Sequence, residues 1–324
     1  QKDSTFWQPV QLARDNGDCD LQIEKATYYL DNISNPIKEI SAHYYMATCY
    51  YTSGQKNEAL YHYDFITTKP NNNYFTEALK YAGEITFDSE NYKLALGHFS
   101  TLENVGVTQE DLSLSKRGQM YCFYYLDNYQ STIIYAKKVM LLNHPNDKVV
   151  EDANLFLANS YKELGLLDSA LISYENVIAT AKSEAAAEAK YNMCHIYYLN
   201  KKYEHCEKQI MELVQQKPTY DYWLAKGILL LGDNFTQLKD YFNAKHSIQS
   251  IIDNYDGPQK DEILAEAEQK LEYVKNLEQI ELDDEPDQEE IEIDFQDIDP
   301  KDQELFEDPS KGKTVDNENN EDGN

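Results

Sequence analysis

Apolar side chains recur along this chain with two periods, a short helical one nested inside a long one. A small residue returns every 36 to 38 positions, and apolar side chains follow it at four and seven positions. The small residues are Ala59, Ala95, Thr132, Ala170, Cys206 and Ala244. Because positions four and seven residues apart lie on one face of an α-helix, the pattern predicts an amphipathic helix in each repeat.

A second set of columns precedes the small residue and predicts a partner helix. An aromatic residue usually stands nine positions before it, and a small or sulfur-containing residue stands twelve before it. Each repeat is therefore predicted to be two helices, such as residues 39–52 and 57–68. Gly54 and Gly165 fall in the turns between paired helices, where glycine suits a helix end. Since period-two alternation is confined to the last 47 residues, we expect an all-α solenoid of about six to seven helix pairs.

These columns resemble the tetratricopeptide repeat (TPR), a helix-pair repeat whose usual period is about 34 residues. The resemblance covers residues 6–255, and the longer period is assigned to loops between units. The unit around Met120 departs from the pattern, with Gln119 and Ala136 where bulk is expected. The resemblance implies a right-handed superhelix, a groove lined by the first helix of each pair, and a protein-binding role. Residues 261–279 fit a C-terminal capping helix with one polar face.

The TPR resemblance also assigns particular first-helix positions to the groove. Carried over by register, the partner-binding residues are Tyr44, Tyr45, Thr48, Tyr51, Lys80, Tyr81, Glu84, Arg117, Tyr121, Tyr124, Phe156, Asn159, Tyr191, Asn192, His195 and Tyr198. Tyrosine offers a large apolar face and one hydroxyl, so it is common at binding hot spots. The alternative is that several of these tyrosines pack between adjacent helices and expose only their hydroxyls.

One well-known use of a TPR groove is not supported by these residues. Chaperone-type grooves hold a C-terminal carboxylate with paired Lys and Asn side chains, but the matching positions here hold residues such as Tyr44, Thr48 and Tyr81. An aromatic groove for an apolar or extended peptide is the better prediction.

Charge divides the chain into two parts. The 324 residues carry a net charge of −29, of which residues 278–324 contribute −17, and all 27 tyrosines precede residue 278. We therefore predict a helical solenoid at 1–277 and an acidic disordered tail at 278–324. Such acidity disfavours nucleic acid and anionic membrane surfaces as partners, and no apolar run is long enough for direct membrane insertion.

The tail contains one segment, residues 289–299, in which apolar residues alternate with acids. Its apolar members are Ile291, Ile293, Phe295 and Ile298. A tail of this kind can simply keep the chain soluble. It can also be a linear motif that folds on binding a basic partner, or an intramolecular contact with the aromatic groove and with Lys80 and Arg117.

Chemistry-bearing residues are sparse, so we predict no enzymatic activity, cofactor or metal. The only Cys/His cluster surrounds Cys194 and Cys206, which take the places of small packing residues in other repeats. Packing is the preferred interpretation, with a disulfide or zinc as alternatives. Cys19, Cys49 and Cys122 are expected to be buried or turn thiols.

The predicted function is a non-catalytic protein-protein interaction scaffold or adaptor. The alternatives are a regulatory solenoid of a larger catalytic or sensor protein, with the tail as an autoinhibitory segment, and a module for self-assembly. The sequence begins at Gln1, and Pro9 is expected to limit the first helix. We expect a mature or trimmed chain, and the C-terminal part of a longer solenoid is one form that this can take. The tyrosine and asparagine content resembles that of bacterial envelope TPR proteins, which favours the periplasm or envelope over the cytoplasm.

Overall fold

The structure is a computed structural model that describes residues 2–142 and 147–284. These ranges contain fifteen α-helices and no β-strand. The helices are α1 (Lys2–Asp15), α2 (Cys19–Asn32), α3 (Glu39–Thr52), α4 (Lys56–Thr67), α5 (Phe75–Asp88), α6 (Tyr92–Val105), α7 (Gln109–Tyr125), α8 (Tyr129–Met140), α9 (Asp147–Glu163), α10 (Leu167–Thr180), α11 (Ala185–Leu199), α12 (Tyr203–Gln215), α13 (Asp221–Gln237), α14 (Tyr241–Asn254) and α15 (Lys260–Asp284).

Helices α1 to α14 form seven consecutive pairs, and each helix packs against the next along the chain. The odd-numbered helices are the first members of the pairs, and several successive first helices also contact each other, as α5 does α7 and α9 does α11. The prediction of an all-α solenoid built from helix pairs is confirmed. None of the described helices is long and apolar enough to cross a membrane.

Burial follows the predicted columns. The small residues of the second helices are completely buried from Ala59 to Ala244. The residues seven positions later, from Ile66 to Ile251, are at most 6% exposed. In the departing unit, Met120 and Ala136 are also fully buried. The periodic core therefore runs through all seven pairs, which is how a repeat that cannot bury its own face is stabilised by its neighbours.

The turn inside each pair repeats the same backbone conformation. One residue with positive φ occurs five positions before each of the six small residues, and in the first pair it occurs five positions before Gln22, which holds the same place. These residues are Gly17, Gly54, Glu90, Asp127, Gly165, Lys201 and Lys239. The next residue caps the second helix in four units, where the Asp18, Asn91, Asn128 or Asp240 side chain accepts a backbone N–H. The turn is therefore conserved in geometry even where its residue type varies.

The expectation that Pro9 limits the first helix is wrong. Helix α1 runs from Lys2 to Asp15 with Pro9 inside it. Pro9 lies on the exposed side, whereas Trp7, Val10 and Ala13 are buried against the neighbouring helices. Burial of this apolar face outweighs the one backbone N–H that proline lacks.

Cysteine pairing also differs from the sequence interpretation. Cys19 and Cys49 form a disulfide that links α2 to α3, so the expectation of two thiols is wrong. Cys194 and Cys206 are joined within the α11–α12 pair, which is the disulfide alternative rather than simple packing. Both cysteines are fully buried where other repeats hold small residues, and their Cα atoms lie 4.0 Å apart. Cys122 is a buried thiol, as expected.

The chain divides into two compact units, residues 1–274 and 275–324. The first unit ends within α15, whose Ile263, Ala267 and Val274 join a core cluster with α13 and α14. These contacts are those expected of a capping helix. Of the second unit, the structure describes the end of α15. The predicted boundary at residue 277 lies inside that helix, and the tail motif from Ile291 to Ile298 lies outside the described residues.

Candidate partner-binding face

The side of the solenoid formed by the odd-numbered helices is called here the first-helix face. All sixteen residues predicted to bind a partner lie on α3, α5, α7, α9 and α11. Phe156, Asn159 and Asn192 are buried, and the other thirteen are partly exposed. Whether these residues bind a partner remains a prediction.

Aromatic rings on the first-helix face contact each other between successive helices of the N-terminal half. On α3, Tyr44 stacks on Tyr74 with ring centroids 4.0 Å apart. Tyr51 of α3 meets Tyr81 of α5 at 4.7 Å. Such tilted and stacked pairs add a modest stabilisation beyond the apolar area that they bury. The rings therefore hold α3 and α5 together while keeping one side open to solvent.

The same ring contacts continue onto α7 and α9. Phe87 of α5 lies 5.9 Å from Tyr121 of α7, and Tyr121 lies 5.5 Å from Phe156 of α9. Tyr124 stacks almost flat on Phe156 at 3.8 Å. The Tyr121 hydroxyl also donates to Asp152, and burial is the main cause that raises the pKa of Tyr121. Thus an aromatic row extends over four first helices.

Beyond Phe156, polar side chains take part in the contacts between first helices, and Asn159 is at their centre. Its amide donates to the Tyr124 hydroxyl and to Glu188, each at 3.0 Å. Its amide oxygen accepts from the Tyr174 hydroxyl at 2.6 Å and from the Asn192 amide at 3.4 Å. Asn159 is 7% exposed, so this network is built into the helix packing of α9, α10 and α11.

The charged members of this network are partly desolvated. Burial raises the pKa of Glu188 above its ordinary value, although the hydrogen bond from Asn159 opposes the shift. Lys162 donates to Asn192 at 3.0 Å and lies 3.3 Å from Glu163. Together with Tyr191 and Trp223, these groups line an open cavity of about 360 Å³. His195 stacks on Tyr191 nearby, with its pKa lowered mainly by burial.

Two further ion pairs join α13 to α15 on the same face. Lys226 lies 2.7 Å from Glu266, and Lys270 lies 2.6 Å from Asp233. Burial raises the pKa of Asp233 despite its lysine partner. The sequence interpretation missed these four residues because it carried the register only as far as Tyr198. The same columns, continued for one more repeat, reach Asp233 but not Lys226.

The predicted cations of the N-terminal half have carboxylate neighbours. Lys80 pairs with the buried Asp111 at the start of α7. Arg117 is one of the charges that lower the pKa of Glu84, but desolvation is stronger and leaves that pKa raised. Hence neither cation forms an isolated basic patch on the first-helix face.

Buried histidines form a separate cluster between α3 and α4. His43 and His62 face each other with their Nδ1 atoms 2.8 Å apart, so one ring donates and the other accepts. Burial lowers the pKa of each ring to about 4, and the neighbouring His62 adds to the shift of His43. Within the described residues, no group of three or more His, Cys, Asp or Glu side chains is arranged to hold a metal ion.

Comparison with known proteins yields similarity of fold only. No protein-family model matches this chain, and no curated protein matches it by sequence. Solved structures similar to it include a tetratricopeptide repeat protein from Parabacteroides merdae, at 16% identity and a TM-score of 0.43, covering 82% of this chain and 98% of that one. The TPR domain of P58(IPK) is similar at 13% identity and a TM-score of 0.35, covering 88% and 80%. A Rap protein complexed with Competence and Sporulation Factor is similar at 17% identity and a TM-score of 0.35, covering 83% and 75%.

Proposed function

We propose that this chain is a non-catalytic scaffold that binds a protein segment along its first-helix face. The observation that carries the proposal is the aromatic row from Tyr51 to Phe156, which crosses four successive helices. Its members Tyr51, Tyr81, Phe87 and Tyr121 are partly exposed, and it ends on the buried ring of Phe156. A core alone would bury such rings completely, as it does Tyr63 and Tyr174. Partly exposed rings in contact with each other form a surface suited to a partner's apolar side chains.

Rigidity favours the same interpretation. Each ring of the row contacts a ring on the neighbouring helix, so little side-chain freedom remains to be lost when a partner binds. Tyrosine hydroxyls at the edge of the row supply hydrogen-bonding groups for a peptide backbone. A pre-ordered, amphipathic surface of this kind suits an extended segment or a helix laid across several units.

The perturbed carboxylates favour binding over catalysis. Glu188 and Asp233 have raised pKa values, which can mark a catalytic acid. Here both are engaged, Glu188 with Asn159 and Asp233 with Lys270. These contacts connect neighbouring helices, which is a structural use of the groups.

The proposal can be tested by site-specific photo-crosslinking. The photoreactive residue benzoylphenylalanine is placed at Tyr81 or at Phe87 in the full chain, within the aromatic row. A matched position is Tyr61, which is 69% exposed on the second helix α4. After crosslinking in extract of the native cell, covalent adducts are identified by mass spectrometry, and the binding is reconstituted with the purified partner.

We expect a discrete protein adduct from Tyr81 and Phe87 and none from Tyr61. Alanine at Tyr81 should then weaken the reconstituted complex at least tenfold, since an aromatic hot spot contributes about 2 kcal/mol or more. Adducts from Tyr61 alone would show that binding uses another surface.

A further inference from the structure

One column of the first-helix face lacks a side chain in a single unit, and its absence leaves a notch beside the aromatic row. Fourteen positions before each buried small residue, the first helices place a side chain toward the preceding first helix. From the second repeat onward the residues of this column are Tyr45, Tyr81, Gly118, Phe156, Asn192 and Leu230. Every unit but one fills the space with a side chain, and the exception is Gly118 on α7.

The floor of this notch is the ring of Phe99, which comes from α6 and is 3% exposed. A Cβ atom added to Gly118 would lie 2.5 Å from that ring, and one added to Gly83 would lie 2.8 Å from it. Phe99 and the two glycines are therefore matched in shape. The ring occupies the lower part of the space, and its position prevents Gly118 from carrying any side chain.

The upper part of the space is open as a cavity of about 170 Å³ between α5 and α7. Its walls are Phe87, Leu114 and Tyr121, all partly exposed. Because these walls are largely apolar, water in the notch makes few hydrogen bonds, and an apolar side chain would displace it favourably. The space matches one large side chain of the kind that fills this column elsewhere.

The rim of the notch carries two carboxylates and one cation. Glu84 and Asp88 lie on one edge and Arg117 on the other. Asp88 is paired with Lys56 at 2.6 Å, whereas Glu84 is half-buried beside the apolar walls. The solenoid as a whole, residues 1–277, carries a net charge of −12. A partner that approaches this rim is favoured if it is basic.

We infer that the notch at Gly118 is the anchor pocket for a partner segment in which one large apolar residue, such as Leu, Met or Phe, stands next to Lys or Arg. The apolar side chain enters between Phe87 and Leu114 and rests on Phe99, and the neighbouring cation faces Glu84. This inference rests on the proposed function, since it names the part of the first-helix face that contributes most to affinity.

The test uses a random 12-residue peptide library displayed on phage and selected against the immobilised full chain. Enriched peptides are synthesised with a fluorophore, and their Kd is measured by fluorescence anisotropy. Leu114→Trp fills the notch, and Glu84→Lys reverses its rim. The matched controls are Leu199→Trp, an exposed first-helix leucine on α11, and Glu175→Lys, an exposed carboxylate on the second helix α10. Thermal unfolding verifies that each variant is folded.

We expect enriched peptides to share a large apolar residue beside Lys or Arg. Leu114→Trp and Glu84→Lys should each weaken their binding at least tenfold, as should alanine at the apolar peptide residue, while both controls stay within about twofold. Glu84→Lys keeps the test decisive if Leu114→Trp fails to fold.

Three outcomes would overturn the inference. Peptides without the apolar–basic pair would reject the stated partner chemistry. Peptides that lose affinity with Tyr124→Ala but not with either notch variant would place binding on the first-helix face outside the notch, which leaves the proposed function standing. A library that yields no binder would count against both.

Discussion

The first-helix face has two halves built from the same repeat but held together by different chemistry. From α3 to α9, neighbouring helices meet through aromatic rings such as Tyr51 with Tyr81 and Tyr121 with Phe156. From α9 to α15, hydrogen bonds and ion pairs such as Asn159 with Glu188 and Lys226 with Glu266 predominate, beside the ring contact of Tyr191 with Trp223. The position in the repeat determines where a side chain lies, and the residue type determines whether it contacts the next helix through a ring or through a polar group.

This difference separates stability from binding. In the C-terminal half, the polar groups named above already have partners within the protein, so an incoming ligand must break contacts to use them. In the N-terminal half, the partly exposed rings present apolar surface to solvent, where water makes few hydrogen bonds. Binding energy is therefore expected from the aromatic half, and the polar half is expected to be sensitive to the loss of any one partner.

The largest expected effect is the loss of the polar centre. Asn159→Ala removes the donor to Glu188 and Tyr124 and the acceptor of Tyr174, so one fully buried and two partly buried groups lose a partner together. The free energy of unfolding should fall by about 4 kcal/mol, measured by urea denaturation. Asn154→Ala, which removes a single bond to the backbone of the same helix, should cost less than about 1 kcal/mol. Equal losses for the two variants would show that the network does not stabilise this half.

Disulfides sharpen the comparison, because one lies in each half. The Cys19–Cys49 bridge closes 30 residues and joins two successive helix pairs, so Cys19→Ser/Cys49→Ser should lower the free energy of unfolding by about 3 kcal/mol. Cys194→Ala/Cys206→Ala should cost less. The bridge that this variant removes closes only 12 residues. The two alanines are also the residues that Ala47 and Ala59 supply at the same positions of an earlier repeat. Chemical denaturation of both variants under oxidising conditions measures the two losses of stability. A larger loss on removal of the Cys194–Cys206 bridge would contradict the expected order.

Acid should affect the two halves in opposite directions. His43 and His62 have pKa values of about 4 in the folded chain against 6.5 when unfolded. The unfolded state therefore binds protons first, and stability present above pH 6.5 is lost as pH falls toward 4. At about pH 5 each histidine is expected to cost about 2 kcal/mol. Glu188 and Asp233 have raised pKa values, so their protonation stabilises the folded C-terminal half as pH falls, and their contribution is lost as pH rises.

Hydrogen exchange followed by mass spectrometry measures this contrast directly. After correction for intrinsic rates, protection of α3 and α4 should fall between pH 7 and about pH 5, while that of α11 and α13 should hold or rise. In the His43→Phe/His62→Phe variant the N-terminal loss should vanish, because the rings that stack near Phe65 remain but no longer titrate. Uniform loss of protection in both halves would contradict the assignment of the acid sensitivity to His43 and His62.

Much of the fold follows from sequence columns because packing imposes them. The small residue, the apolar residues after it and the small residue before it are each fixed by the close approach of two helices, so one chain shows them six times. Even the unit around Met120 keeps its core. Pro9 shows the limit of a local rule, since a buried face around Trp7 and Val10 outweighs it.

Less of the candidate site could be predicted from the sequence, since it depends on contacts between residues of different columns. The bridge from Cys19 to Cys49 joins two different columns, and neither residue stands where the repeat expects a small side chain. The network around Asn159 draws Tyr174 from a second helix and Glu188 from the next unit. The notch arises from an absent side chain at Gly118, which a search for chemical groups does not find.

The smallest expected effect concerns the turns, which are alike in both halves. Gly54 and Gly165 have φ values of 79° and 72°, and a Cβ added to either meets nothing within 4 Å. Gly165→Ala therefore introduces only a backbone penalty and should lower the free energy of unfolding by about 1 kcal/mol. Lys201 holds the same position at a φ of 57° and already bears that penalty. Lys201→Gly should raise stability by up to about 1 kcal/mol, offset in part by the greater freedom of glycine in the unfolded chain. If the left-handed turn is a fixed feature of the repeat, thermal and urea unfolding should show changes of opposite sign in the free energy of unfolding of the two variants. A loss of stability in both would mean that Lys201 makes a contact worth more than its backbone strain.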